Sequence, residues 1–197
     1  MIEVKQLYYS IQATPILTNI NCSIPAACVF HIQAGNGAGK TTLLQLLCGL
    51  KQPESGLILF NQQPIQDRLS RFQQNINYIG HQIPLQNQLS ISEHWLLSSV
   101  PDESYHQALN YFQLGHCEHV PAIQLSAGQR KKAVLMALLL HKRPIWILDE
   151  PFVGLDQQSI SNLLKLIEHH INQNGIVVVT SHQPLPNLSC KTMNYML

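Results

Sequence analysis

The stretch Ala34-Gly35-Asn36-Gly37-Ala38-Gly39-Lys40-Thr41-Thr42 constrains this chain more than any other. It follows an apolar run containing Val29, Phe30 and Ile32, and it opens a segment, residues 43–50, with apolar side chains on one helical face. Strand, glycine-rich turn, Lys-Thr and helix form the context that a phosphate-binding loop needs. Glycines let the turn wrap closely, so that backbone N–H groups face a polyphosphate at a helix N-terminus, where the dipole also favours an anion. Lys40 would reach the β- and γ-phosphates, and the Thr41 hydroxyl would hold Mg²⁺. Residues 34 through 42 are therefore the expected nucleotide-binding segment. The pattern G-x-x-x-x-G-K-[ST] asks for glycine at position 34, where this chain has Ala34 with Gly35 beside it. A positive φ there would strain alanine, whereas an ordinary φ would tolerate the methyl.

A chain of 197 residues suffices for one domain with a substantial core, or one domain carrying a small insertion. Charged residues make up only 12%, about half the usual share, and polar duty falls on Gln, Asn, Ser and His. A formal net charge of +1 supplies no basic field of the kind that gathers nucleic acid, so no nucleic-acid partner is expected. The longest uninterrupted apolar run, residues 133–140, is far short of a membrane span. Met1-Ile2-Glu3-Val4-Lys5 lacks the basic and apolar regions of a signal peptide. The expectation is a cytoplasmic protein whose membrane association comes through a partner. Cys22, Cys28, Cys48, Cys117 and Cys190 form no C-x-x-C pair, and free, packed thiols are expected.

Residues 2–9 and 16–24 read as strands, rich in branched and aromatic side chains, with Gln12-Ala13-Thr14-Pro15 as the turn. Further strands are expected at 29–33, 57–60 and 76–79, the last delivering the chain to Gly80-His81-Gln82. From 83 to about 140 the pattern turns helical. Ser90 with Glu93, and Ser126 with Gln129, have capping-box spacing, and Pro101-Asp102-Glu103 opens a helix between them. Residues 130–140 continue the helix that Ser126 starts. Residues 145–149 and 176–180 are continuous apolar runs, as in buried parallel strands, and an amphipathic helix from 156 to about 172 closes near Gly175. This interleaving argues for an α/β core, residues 1–82 and 141–197, with 83–140 inserted as a helical arm.

Phosphoryl transfer needs phosphate positioning, a metal, an oriented water and charge stabilisation. Asp149, ending an apolar strand, is placed to bind Mg²⁺ directly or through water, and Glu150 to orient or deprotonate the attacking water. A strand-end Asp-Glu pair that is merely solvated is the plainer alternative, weakened by the phosphate loop upstream.

Lys40, Gln82, Leu125-Ser126-Ala127-Gly128-Gln129, Asp149-Glu150, Leu155-Asp156 and His182 occur in the order and approximate spacing of an ABC-type ATPase. By this resemblance the chain is identified as a member of that family, over essentially its whole length. The resemblance implies a P-loop NTPase core of α/β class, with an antiparallel β portion at the N-terminus and an inserted α-helical subdomain. It implies ATP and Mg²⁺ as ligands, with the metal at Thr41, Gln82 and Asp149. Catalysis would fall to Glu150, Gln82 at the hinge of the helical arm, and the switch histidine His182. It also implies a second copy as partner, two chains sandwiching two ATP molecules, with Ser126, Gly128 and Gln129 facing the nucleotide held by the other copy. Asp156 belongs to the loop that meets that copy.

Tyr78-Ile79-Gly80-His81-Gln82, Leu125 through Gln129, Trp146 through Phe152 and Thr180-Ser181-His182-Gln183-Pro184-Leu185 look like the ATP-binding subunits of cytochrome c maturation (haem exporter) ABC complexes. That subfamily implies docking to integral-membrane subunits on the cytoplasmic face of a bacterial inner membrane, with hydrolysis driving haem export or release of a haem-loaded chaperone. The ATPase of another small ABC transporter and a non-transporting nucleotide-gated clamp are the alternatives; Glu150 and His182 speak for turnover. Two departures stand out. Ile11 occupies the place where many such ATPases stack adenine on an aromatic ring, with Tyr8 and Tyr9 nearby. Phe152-Val153-Gly154 replaces a commoner small-residue sequence before Asp156. His116-Cys117-Glu118-His119 carries metal-capable groups but reads as a solvated loop, and no direct haem binding is expected. His169 and His170 suit a helix C-terminus, and Cys48, Trp95 and Trp146 read as packing residues.

Overall fold

Ile2, Val4 and Leu7 of the first strand (β1, Ile2–Ile11) point into the core, a spacing that steps from even to odd positions. The step is possible because Gln6 adopts φ +47 and the register against the second strand (β2, Thr14–Ile24) shifts between Val4 and Leu7. Such a bulge turns a strand without exposing its apolar set. The two strands join through Gln12 and Ala13 alone, both at positive φ (+49° and +64°), a tighter hairpin than the four-residue turn expected from the sequence. With β4 (Ser55–Phe60) and the short β5 (Gln63–Pro64) they make an antiparallel sheet of order β2-β1-β4-β5. The computed structural model describes residues 1–81, 84–96, 98, 100–182, 184–185 and 188–197.

The second sheet is parallel, in the order β6-β7-β8-β3-β9, built from β3 (Cys28–Gln33), β6 (Ile76–Ile79), β7 (Ile145–Asp149), β8 (Ile176–Thr180) and β9 (Thr192–Met196). All five residues of β7 and of β8 are buried, which is why both read as unbroken apolar runs. The strand β9 was not expected: at the end of the sheet its burial only alternates, with Met193 and Tyr195 half-buried and Tyr195 stacked on Phe30. Helix α1 (Lys40–Leu47) starts at the lysine, three residues before the expected apolar segment, and packs on β7 and β8 through buried leucines. The short helix α2 (Leu69–Gln73) follows β5.

The chain divides into two compact units: Met1–Gly80, Arg143–Pro151 and Lys165–Leu197 in the first, His81–Lys142 and Phe152–Leu164 in the second. The second holds α3 (Ile91–Leu96), α4 (Asp102–Tyr111), α5 (Ala127–Leu135) and α6 (Ala137–Leu140). Both expected capping boxes form. Ser90 Oγ accepts from the Glu93 N–H at 3.3 Å while the Glu93 carboxylate accepts from the Ser90 N–H at 2.8 Å, and Ser126 with Gln129 does the same at 3.1 and 2.8 Å. The single helix expected over 130–140 is interrupted at Met136, which separates α5 from α6. Helix α7 (Gln157–Asn172) begins after Asp156, whose carboxylate accepts from the Ser159 N–H at 2.7 Å. Beyond its last residue the chain turns at Asn174, which takes the left-handed conformation (φ +64), one residue before Gly175. Gly175 is required for a different reason: a Cβ there would collide with the His170 ring, which stacks on Trp146 at 3.8 Å. The cysteines are free, with Cys28, Cys48 and Cys117 buried. Among the described residues no helix is long and apolar enough to cross a membrane.

Candidate functional site

Parallel strands bring their C-terminal ends to one edge, and in such sheets that edge collects the ligand-binding loops. Here β3 delivers the glycine-rich loop, β7 delivers Asp149 and Glu150, and β8 delivers Ser181 and His182, on strands that are direct neighbours or one removed. Asp149 and Thr180 are paired across β7 and β8, and Thr180 is paired with Ile32 of β3.

Within the loop the conformational load falls on two glycines. Gly37 sits at φ +77 and Gly39 at φ +91, the latter capping α1, whereas Ala34 is not among the residues with positive φ. The alanine at position 34 is therefore unstrained, and the departure from the motif costs nothing locally. Asn36 and Gly37 are exposed, Ala38 and Thr42 are half-buried, and Gly39 packs against Ile16 and Leu17 of β2. Lys40 is buried, with its ammonium donating to the carbonyls of Ala34 at 2.9 Å and Gly35 at 3.0 Å.

Thr41 Oγ1 donates to Asp149 Oδ2 at 2.6 Å, and Thr180 Oγ1 donates to Asp149 Oδ1 at 2.6 Å, so both oxygens of a carboxylate that is only 2% exposed receive a hydroxyl. Glu150 leaves the strand direction at φ +48, and its N–H donates to Thr180 Oγ1 at 3.0 Å. Its carboxylate then meets His182 Nε2 at 2.5 Å. Burial, with the Asp149 charge behind it, pushes the Tyr78 phenol on β6 up to about 12. The structure thus brings together Lys40, Thr41, Asp149, Glu150 and His182; Gln82 lies outside the described residues. The sequence reading gave Thr180 no role. A signal was available, since β7 and β8 are each a run of four apolar residues closed by one polar residue, Asp149 and Thr180.

The donor set at Thr41 and Asp149 suits a magnesium ion. A hydroxyl and a carboxylate within 2.6 Å are hard oxygens with no sulfur or imidazole between them, and Mg²⁺ takes one or two carboxylates together with substrate phosphates and water. Among the described residues no cluster of three His, Cys, Asp or Glu could hold a metal by itself.

In the second unit, Ser126 at φ −63, ψ 160 caps α5, its hydroxyl oxygen taking the Gln129 N–H and the N–H groups of Ala127 and Gly128 opening the helix at the end its dipole makes positive. The Gln129 side chain is used at both ends, accepting from Ser126 N–H and donating from Nε2 to His116 Nε2 at 3.1 Å. Gly128 packs against the backbone: a Cβ there would lie 3.0 Å from the Gly154 carbonyl. Lys132 pairs with Asp156 at 3.6 Å. The cluster expected to be a solvated loop is partly structural instead: Cys117 is buried, its Sγ donating to Leu114 O at 3.3 Å, and His119 Nδ1 lies 3.1 Å from Ser92 Oγ. Burial raises the Cys117 thiol. Ile11, at the place of the missing aromatic, is 44% exposed at the end of β1, and Tyr9 carries Lys51 Nζ over its ring at 5.1 Å.

The sequence profile of the ABC transporter family matches residues 17–153. The chain is 36% identical over 189 residues to the cytochrome c biogenesis ATP-binding export protein CcmA of Legionella pneumophila (strain Lens), covering 94% of each. A solved ABC transporter ATP-binding protein from Pyrococcus furiosus is 26% identical, with a TM-score of 0.80 over 98% of this chain and 96% of that one. A dimeric ATP-binding cassette solved in a post-hydrolysis state with ADP and phosphate shares the fold, with a TM-score of 0.81 at 21% identity over 93% of this chain and 88% of that one. The chain belongs to the ABC transporter ATPase family, and within it to the group of cytochrome c biogenesis ATP-binding export proteins.

Proposed function

We propose that this chain binds and hydrolyses ATP as the motor subunit of a membrane ABC complex serving cytochrome c maturation, coupling hydrolysis to haem export or to release of a haem-loaded chaperone. The observation that carries the reading is the Thr41–Asp149 and Glu150–His182 arrangement at adjacent strand ends. Lys40 and the loop N–H groups of residues 35–42 would hold the polyphosphate, while Ala34 lends its carbonyl to Lys40. Thr41 and Asp149, with Gln82, would hold Mg²⁺, which supplies charge neutralisation at the phosphate oxygens. Glu150 accepts a proton from the water whose oxygen attacks the γ-phosphorus; the bond to the β–γ bridging oxygen breaks, giving ADP and phosphate. His182, hydrogen-bonded to Glu150, keeps that carboxylate turned toward the water.

One chain has one phosphate loop and one Ser126–Gln129 turn. In the proposed reading a second copy brings its Ser126 hydroxyl and first-turn N–H groups to the γ-phosphate, with Gly128 allowing close approach and Gln129 holding Ser126 in place. The dimeric state of the cassette compared above supports this arrangement. The name of the Legionella relative supports the pathway; docking to membrane subunits on the cytoplasmic face of the inner membrane is part of the same proposed reading. The test is the ATPase rate per chain as protein concentration rises or as membrane subunits are added. It should climb and then plateau; a constant rate from a proven monomer refutes the two-copy site.

A further inference from the structure

The Thr180 hydroxyl has one proton to give and uses it on Asp149 Oδ1, while its oxygen accepts the N–H of Glu150. It therefore bonds in both directions at once, at a position with no solvent exposure, between two carboxylates expected to do different work. Glu150 needs such a partner. At φ +48 it occupies the left-handed region that non-glycine residues seldom use, and glycine cannot stand there because the carboxylate is needed. The bend takes Glu150 out of line with β7 and toward His182, and the bond from its N–H to Thr180 is what ties the bent peptide to the neighbouring strand.

We infer that Thr180 is a positioning residue for both carboxylates: it fixes Asp149 so that Oδ2 faces Thr41, and it anchors the backbone turn that aims Glu150 at His182. Only a β-hydroxyl at this place in β8 serves both bonds. Valine has nearly the same shape and would take from the Glu150 N–H its acceptor and from Asp149 Oδ1 its donor. Serine keeps the hydroxyl. The inference rests on the ATPase reading above.

The test compares Thr180→Val and Thr180→Ser with the unaltered full chain, at a protein concentration where the rate per chain has reached its plateau. Thr180→Val should lower kcat by about 10²-fold, the order expected when a catalytic base is misplaced, a larger change than the rise in KM for ATP, because Lys40 and the loop N–H groups are untouched. The tightening of ATP binding when Mg²⁺ is added, measured as binding rather than turnover, should shrink in Thr180→Val and persist in Thr180→Ser. A Thr180→Val variant with unchanged kcat and unchanged Mg²⁺ response overturns the inference, as does a serine variant impaired as badly as the valine. Should Thr180→Val not fold, Thr180→Ala makes the same comparison with a smaller side chain; failure of both to fold would assign the hydroxyl to stability alone and also overturn it. Glu150→Gln separates the two levels. If that variant keeps full turnover, the ATPase reading of the site fails; if it is inactive while Thr180→Val is not, only the positioning role fails.

Discussion

The glycine-rich loop offers a ranking that its motif does not contain. Gly35, Gly37 and Gly39 look equivalent in sequence, yet only the last two have positive φ, and only Gly39 also lacks room. A Cβ on Gly35 meets nothing within 4 Å, so Gly35→Ala should change stability by less than about 0.5 kcal/mol and could gain slightly by restricting the unfolded chain. Gly37→Ala faces open space but must hold φ +77, at about 1–2 kcal/mol. Gly39→Ala carries the same backbone penalty at φ +91, and its Cβ would fall 2.8 Å from Ile16 Cγ2 and 3.0 Å from Leu17 Cδ2. Overpacking of that kind adds about 1–3 kcal/mol. The whole is about 2–5 kcal/mol, or a Tm lowered by about 4–20 °C for a chain of this size. Thermal melts of the three variants without nucleotide isolate these terms, since phosphate contacts then play no part. The order Gly35, Gly37, Gly39 in increasing damage is the result expected. Equal losses at Gly35 and Gly39 would mean that the loop is governed by something other than backbone handedness and the approach of β2.

Other substitutions follow the same logic. Glu150→Gln keeps the shape, and the backbone bond to Thr180, while removing the base; kcat should fall by about 10²–10⁴-fold with ATP binding retained and the closed dimer accumulating on gel filtration, and undiminished turnover would remove Glu150 from its assigned role. Ser126→Ala breaks one arm of the capping box and should cost about 1 kcal/mol, seen as faster hydrogen exchange in the first turn of α5. Stability should also fall on both sides of neutrality. Burial lowers the imidazoles of His31 and His170 below their ordinary 6.5, so the unfolded chain binds more protons and stability drops as the pH goes under that value. Burial raises the thiols of Cys28 and Cys48 above 9.0, so stability drops again as the pH rises beyond it. Melts at pH 5, 7.5 and 10 should show the maximum in the middle, and a Tm that does not fall at the acid end would contradict the buried, neutral histidines.

Much of this arrangement is legible in the amino-acid sequence. The strands β7 and β8 are apolar up to their last residue because both faces of a central parallel strand are covered, and that burial also forces their polar ends to the edge where Asp149 and His182 sit. The capping boxes at Ser90 and Ser126 were legible because their chemistry is local, closing within three residues. What escaped was set by distance or by dihedral. The strand β9 has no signal of its own beyond alternate burial, and it exists because β3 offers it an edge. The bulge at Gln6, the hairpin at Gln12 and Ala13, and the αL residue Asn174 are all non-glycine residues at positive φ, which composition alone does not disclose.

Glu150 belongs to that last group, and it shows why a motif names residues better than it explains them. Consecutive residues of a strand point to opposite faces, so a straight continuation of β7 would turn Glu150 away from the face Asp149 uses. A left-handed residue after the strand instead redirects the chain, and the carboxylate meets His182 from the next strand over. Such a conformation persists only where surroundings hold it. Here the holding group is a hydroxyl contributed from 30 residues downstream, paired by register with Asp149 itself. The adjacency of Asp and Glu in sequence therefore does not by itself make two independent functional carboxylates. Their separation into one facing Thr41 and one facing His182 requires β8 to be in register, which makes the sheet, and not the dipeptide, the unit that defines the site.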